Sequence, residues 1–237
     1  LAQPSRGIVV LTGAGISAES GLPTFRGAGG LWEGHRVEEV ATPQAFARDP
    51  ELVHRFYNAR RARLRDPAIA PNAAHRALAE LERRWPGSYL LVTQNVDDLH
   101  DRAGSQRLVH LHGELTRALC RDCGGSAAWA DDLGAHSACP LCGVAGRLRP
   151  DIVWFGELPY RMDEVYAALE QCAVFVAIGT SGLVYPAAGF VEAARAAGAV
   201  RTIELNLEPS AVSSAFAERR HGPAAELVPA LVQELLA

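Results

Sequence analysis

Gly7-Ile8-Val9-Val10-Leu11-Thr12-Gly13-Ala14-Gly15-Ile16-Ser17-Ala18 is the stretch on which the fold turns. A β-branched apolar run that breaks into two closely spaced glycines reads as a strand feeding a tight turn and a helix start. The turn fits G-x-G-x-x-G/A, in which residues without side chains let a helix N-terminus approach a pyrophosphate. By itself the match is weak evidence for a nucleotide, because many α/β folds use such a turn with nothing bound. Gly21, Pro23 and the run Gly27 to Gly30 cut the helix short, unlike a dehydrogenase, and leave a loop with Phe25 and Arg26 to fold over a ligand. A P-loop is excluded, since its lysine is absent.

Further short runs follow at Tyr89 to Val92, Leu108 to Leu111, Val174 to Ile178 and Arg201 to Leu205, alternating with helical patterns. That alternation predicts a doubly wound, Rossmann-like parallel sheet in an α/β fold. One helix opens at Pro71-Asn72, carries Ala74, Leu78, Leu81 and Trp85 on one stripe, and stops at Pro86-Gly87. Another begins after Pro223 with Leu227, Leu231, Val232 and Leu235 as its apolar stripe. Two segments interrupt the alternation and are expected to build a smaller domain beside the sheet. These are a helical insert, 27–70, and a cysteine-bearing insert, 118–147, leaving 1–26, 71–117 and 148–237 for the larger domain.

With 237 residues and 49% of them hydrophobic, the chain can bury a sizeable core. A formal net charge of -4 provides no basic field for nucleic acid, and no apolar run is long enough to cross a bilayer. All 23 basic residues are arginine. The chain therefore offers no side-chain amine for acylation. Nothing in the sequence directs export, and a cytoplasmic location is expected.

Cys120-x2-Cys123 and Cys139-x2-Cys142, separated by fifteen residues, have the spacing of a four-thiolate zinc site. Four thiolates fill a tetrahedral sphere and leave no open position for water, so the ion's role is structural. Iron fits the same ligands. Two close pairs also suit a reducing compartment better than a disulfide framework does. Cys172, next to a strand, reads as a small core residue.

Polar residues gather where apolar runs end. Gln94, Asn95, Val96 and Asp97 follow one strand, at the place where open α/β sheets bind ligands, although a plain turn would use the same residues. Leu108 to Glu114 sets His110 and His112 on one strand face, with His112 at the strand end beside Gly113. Sequence alone does not choose between the two histidines.

Taken together, Gly13-Ala14-Gly15-Ile16-Ser17, Phe25-Arg26, Thr93-Gln94-Asn95-Val96-Asp97, His112-Gly113-Glu114, the cysteine pairs, Gly179-Thr180-Ser181 and Asn206-Leu207-Glu208 resemble the sirtuin family, in family order over nearly the whole chain. The resemblance implies an NAD-dependent protein-lysine deacylase. NAD+ is the co-substrate, one structural Zn2+ is bound, acylated-lysine proteins are the partners, and His112 is the general base. It implies that Gly13 to Trp32 covers NAD and that Gln94, Asn95 and Asp97 hold its ribose and nicotinamide ends. Gly179 to Ser181, Asn206 to Glu208 and Ala224 fall on the adenosine side. Val153, Trp154, Phe155, Gly156 and Glu157 resemble a strand that pairs with substrate backbone.

Thr24 after Pro23, where many relatives have Asp, points to a subgroup. Ala41-Thr42-Pro43 followed by Phe56-Tyr57-Asn58-Ala59-Arg60 is similar to the class III sirtuins, which remove succinyl and malonyl groups. There the resemblance implies that Tyr57 and Arg60, on one helix face, grip an acyl carboxylate while Ala41 leaves room for the chain. The competing reading makes Arg60, Arg61, Arg63 and Arg65 a solvated face. Rival activities are an ADP-ribosyltransferase or NAD hydrolase using the same cleft, a zinc-ribbon binding module and a redox dehydrogenase.

Overall fold

The computed structural model describes residues 7–24 and 34–237. Phe25, Arg26 and Trp32 lie outside them.

Six parallel strands form the main sheet: β1 (Gly7–Thr12), β2 (Tyr89–Thr93), β3 (Leu108–His110), β7 (Cys172–Ile178), β8 (Arg201–Asn206) and β9 (Glu218–His221), in the order β3-β2-β1-β7-β8-β9. Four strands extend the predicted runs by a residue or two, β3 stops one residue short at His110, and β9 had no sequence forecast because its polar Glu-Arg-Arg-His lies at the sheet edge. Successive side chains of β1 point to opposite faces, as the period of two requires. Ile8 and Val10 enter one core with α5 (Ala73–Arg84) and α9 (Ala224–Leu236). Val9 and Leu11 enter the other with α7 (Met162–Gln171) and α8 (Phe190–Ala196). Burial on both faces explains why these strands are continuously apolar.

Helix α5 starts where the sequence indicates. The Asn72 side chain accepts from the backbone N–H groups of Ala74 and His75, satisfying donors that the first turn leaves over. Between β1 and β7 the strand order reverses, so the turn after β1 faces the turn after β7.

A second sheet is antiparallel and three-stranded, β5-β4-β6, with β4 (Gly113–Cys120), β5 (Ser126–Ala128) and β6 (Leu148–Ile152). It takes in residues on both sides of 118–147. Gly113 must be glycine: its φ is +82°, and a Cβ would sit 2.0 Å from the Asp151 carbonyl oxygen across the β4–β6 pair. Helices α2 (Val37–Val40), α3 (Pro43–Arg48) and α4 (Pro50–Leu64) share a core with this sheet through Phe46, Phe56, Tyr57, Leu115, Ile152 and Trp154. Helices α1 (Gly15–Ala18) and α6 (Leu99–Ala103) are single short turns after β1 and β2.

Two expectations are corrected here. His110 and His112 do not share a strand face, because β3 ends at His110 and His112 lies in the turn to β4. Residues 153–157 do not form a strand, because β6 stops at Ile152 and the following N–H groups are turned inward. Val153 donates to the His112 carbonyl, Trp154 to the Glu157 carboxylate and Phe155 to the Ala41 carbonyl.

Candidate functional site: a cleft at the sheet switch point

A cleft of about 910 Å³ opens at the C-terminal ends of β1, β2, β7 and β8 and runs toward the three-stranded sheet. Its floor is the pair of facing turns. A Cβ on Gly13 would come 2.7 Å from the Gly179 carbonyl oxygen, and one on Gly15 would come 2.6 Å from the Gly179 Cα. Gly179 itself has φ +62°. Glycine is therefore demanded by turn-on-turn packing, a reason additional to phosphate access.

Of the residues forecast for the cofactor, Gly13, Ala14, Gly15, Ser17, Gln94, Asn95, Val96, Asp97, Gly179, Thr180, Ser181, Asn206, Leu207, Glu208 and Ala224 line this cleft. Ile16 does not. It is fully buried in the core between the sheet and α5 and α9, so its side chain packs and does not face a ligand. His112 and all of Ala41, Tyr57, Arg60, Val153, Trp154, Phe155, Gly156 and Glu157 border the same cleft.

The polar groups at the switch point are wired together. Asn95 Nδ2 donates to the Gly13 carbonyl at 3.1 Å and to Ser17 Oγ at 3.2 Å, and Ser17 Oγ donates to Asp97 at 3.0 Å. Burial pushes the Asp97 carboxyl up, against the opposing pull of the Leu99 N–H and the Ser17 hydroxyl. Beneath them, Thr12 Oγ1 donates to Thr93 Oγ1 at 2.9 Å, and Thr93 Oγ1 accepts the Asn95 N–H at 3.1 Å. His100 Nε2 meets Thr12 Oγ1 at 3.0 Å. Sequence reading missed Thr12, Thr93 and His100, since two threonines at strand ends and a histidine on a short helix carry no local signal of meeting.

The two candidate histidines separate clearly. His110 pairs with Asp101 at 3.0 Å and lines a different concavity, with Glu114, Asp151 and Tyr160. Burial opposes its charge, but the Asp101 bond prevails and holds its pKa above the ordinary value. His112 Nδ1 lies 3.1 Å from the Gln94 carbonyl oxygen. A carbonyl can only accept, so Nδ1 carries the proton and Nε2 carries the lone pair. Burial lowers the His112 pKa against that bond, which keeps the ring neutral.

On the opposite wall, Arg60 and Arg61 are buried whereas Arg63 and Arg65 are exposed, so the solvated-face reading fails for the first two. Arg61 is buried and donates to the Leu115 carbonyl at 2.8 Å and to Asn58 Oδ1 at 2.8 Å. Arg63 donates to the Gly21 carbonyl at 2.7 Å and Arg65 to the Ala130 carbonyl. Arg60, also buried, lays its guanidinium carbon 3.3 Å from the Phe56 ring centroid and donates to the Phe56 carbonyl at 3.0 Å. Tyr57 is fully buried one turn away, and its oxygen accepts the Trp154 Nε1–H at 3.0 Å.

Away from the cleft, the Sγ atoms of Cys120, Cys123, Cys139 and Cys142 all lie within 4.8 Å of one another. Cys120 to Cys142 is 3.8 Å and Cys123 to Cys139 is 3.9 Å. Tetrahedral zinc with bonds of about 2.3 Å needs sulfur separations of about 3.8 Å, so these residues fit the ion. Backbone N–H groups of Cys123 and Asp122 draw the Cys120 thiol down, while Cys142, against the pull of the Val144 N–H, is pushed up by desolvation and the neighbouring sulfurs, as expected of four thiols crowded together.

Comparison with known proteins agrees with this geometry. Residues 13–186 match the model of the Sir2 family. An NAD-dependent protein deacylase of Bdellovibrio bacteriovorus is 57% identical, over 98% of this chain and 97% of its own. One of Escherichia coli K12 is 56% identical, over 97% of this chain and 82% of its own. Among solved structures, a Sir2 homologue in complex with NAD superposes with a TM-score of 0.86 at 41% identity, covering 97% of this chain and 89% of that one. A Sir2 protein bound to a myristoylated histone peptide superposes with a TM-score of 0.74 at 34% identity, covering 97% and 90%. A strand-order reversal floored by facing glycine turns, a neutral histidine on the cleft wall, a four-thiolate cluster and these matches converge on one assignment: the chain belongs to the Sir2 family.

Proposed function

We propose that the chain is an NAD-dependent protein-lysine deacylase acting in the cleft, with His112 as its general base. The observation that carries the reading is the 3.1 Å contact between His112 Nδ1 and the Gln94 carbonyl. It commits the imidazole to the tautomer whose other nitrogen can accept a proton, in a ring that borders the cleft. NAD is the co-substrate. The acyl-amide oxygen attacks the ribose carbon that bears nicotinamide and nicotinamide leaves; a ribose hydroxyl then gives its proton to His112 as its oxygen closes on the acyl carbon, and one water completes the acyl ester as the carbon–nitrogen bond breaks and the lysine amine leaves. Asn95 and Asp97 anchor the ribose and nicotinamide ends, while Thr180, Ser181, Asn206, Leu207, Glu208 and Ala224 serve the adenosine end. The products are free lysine, nicotinamide and O-acyl-ADP-ribose.

Residues 118–147 form the zinc-bearing insert and 27–70 the helical one, together the smaller lobe in this reading. Zinc would be held by the four cysteines and would supply no chemistry, its coordination being complete. Two close cysteine pairs placed for metal ligation suit a reducing, cytoplasmic setting. The acyl group reaches Ala41, Tyr57 and Arg60, where a phenol and a guanidinium favour succinyl and malonyl over acetyl. Their placement on one wall supports this specificity.

His112→Tyr is expected to abolish nicotinamide release while NAD binding stays measurable by calorimetry. Loss of both together would argue for a structural histidine. A requirement for acyl-peptide in nicotinamide release separates this reading from an NAD hydrolase.

A further inference from the structure

Trp154 borders the cleft and its indole reaches Tyr57, whereas the family resemblance assigned its segment a backbone role. An indole N–H is a donor with no lone pair to offer. In the 3.0 Å bond from Trp154 Nε1 to Tyr57 Oη, the phenol oxygen must therefore accept. Burial raises the Tyr57 pKa far above its ordinary value, so the phenol keeps its proton. That proton then leaves the oxygen in a direction away from Trp154.

The indole is itself held from several sides. The Arg149 guanidinium carbon stacks 3.5 Å from its ring centroid, and Phe46 packs 5.3 Å away, centroid to centroid. Arg149 is fixed by Glu157 with bonds of 2.6 and 2.9 Å and by the Ile152 carbonyl. Glu157 closes the loop by accepting the Trp154 backbone N–H at 2.8 Å. Trp154 is 2% exposed and Tyr57 is fully buried, so the bond between them is shielded from water.

We infer that Trp154 is a positioning residue that fixes the direction in which Tyr57 donates, and thereby sets preference for acyl groups ending in a carboxylate. The inference rests on the proposed role of Tyr57 and Arg60. A phenol without the indole could rotate its proton or accept from another donor, and a ligand carboxylate would then meet an acceptor as often as a donor. Butyryl-lysine has the same chain length as succinyl-lysine without the charge, so the succinyl to butyryl ratio isolates carboxylate recognition from room in the pocket.

The test is a double-mutant cycle in kcat/KM on succinyl- and butyryl-lysine peptides, using the parent, Trp154→Phe, Tyr57→Phe and the double variant. Trp154→Phe is expected to lower the succinyl to butyryl ratio about tenfold, mainly through KM for the succinyl peptide, and to have no further effect in the Tyr57→Phe background. A ratio within about twofold of the parent while Tyr57→Phe lowers it would overturn the inference alone, as would an equal drop in both backgrounds. Should Tyr57→Phe leave the ratio unchanged, the carboxylate role of Tyr57 falls and the inference with it. If the phenylalanine variant does not fold, site-specific placement of benzothienylalanine at 154 keeps the ring's shape and removes only the N–H. The same outcomes then decide.

Discussion

The carbonyl oxygen of Gln94 accepts the Nδ1 proton of His112 across 3.1 Å, joining the end of one strand to the turn after the next. Because burial lowers the His112 pKa, the base stays unprotonated below the ordinary imidazole value of about 6.5. The sign follows directly: activity requires the neutral ring, so lowering pH removes it only as the depressed pKa is passed. The acid limb of the kcat/KM profile, measured on acyl-peptide with saturating NAD, is expected to have its midpoint below pH 6.5. A midpoint above that value would contradict the assignment.

Arg60 is buried at the cleft wall, where its guanidinium stacks on Phe56 and donates to the Phe56 carbonyl. Arg60→Met keeps much of the apolar stem and removes the charge. Charge-assisted hydrogen bonds are worth about 1.5–3 kcal/mol, which predicts a loss of roughly 10- to 100-fold in kcat/KM for succinyl-lysine. Acetyl-lysine turnover should be retained. Parallel assays of both peptides measure this, and an unchanged succinyl rate would remove Tyr57 and Arg60 from the site.

The cysteine cluster holds together β4, β5 and the loop that returns to β6, a region whose apolar core is small: Ala118, Leu133 and Leu148 with the two buried cysteines. Such a region depends on its metal. Elemental analysis should find one zinc per chain. Cys139→Ser, or treatment with a strong chelator, should lower Tm by roughly 10 °C, given about 2–4 °C per kcal/mol for a chain of this size. Retention of full thermal stability after complete zinc removal would refute a structural role.

His75 on α5 and His100 on α6 pack with ring centroids 4.8 Å apart and their planes tilted by 58°. Burial brings His75 down to about 4 and puts His100 well below its ordinary value. Below about pH 6.5 the unfolded chain takes up protons that the folded rings refuse, so stability is full above that pH and falls as pH drops toward 4. For His75 the complete effect is about 3 kcal/mol. Thermal unfolding from pH 7 to pH 4.5 should show this decline, and His75→Gln should be less steep by up to one proton.

Residues close in sequence announced much of this protein. Alternating apolar runs and glycine punctuation specify a doubly wound sheet because burial on both faces and tight turns are local demands. The x2 spacing of the cysteines specifies a thiolate site because a single turn presents both sulfurs to one ion. What distinguishes His112 from His110 is absent from their shared run, since it depends on Gln94 and Asp101 arriving from elsewhere. Arg60, Arg61, Arg63 and Arg65 read equally well as one solvated face, and only packing against remote segments buries Arg60 and Arg61 while Arg63 and Arg65 stay exposed. The polarity of the Tyr57 hydroxyl is set by an indole 97 positions away. A chain writes its own propensities and periodicities, but the desolvation and hydrogen-bond partners that tune a side chain exist only after remote segments have packed against it.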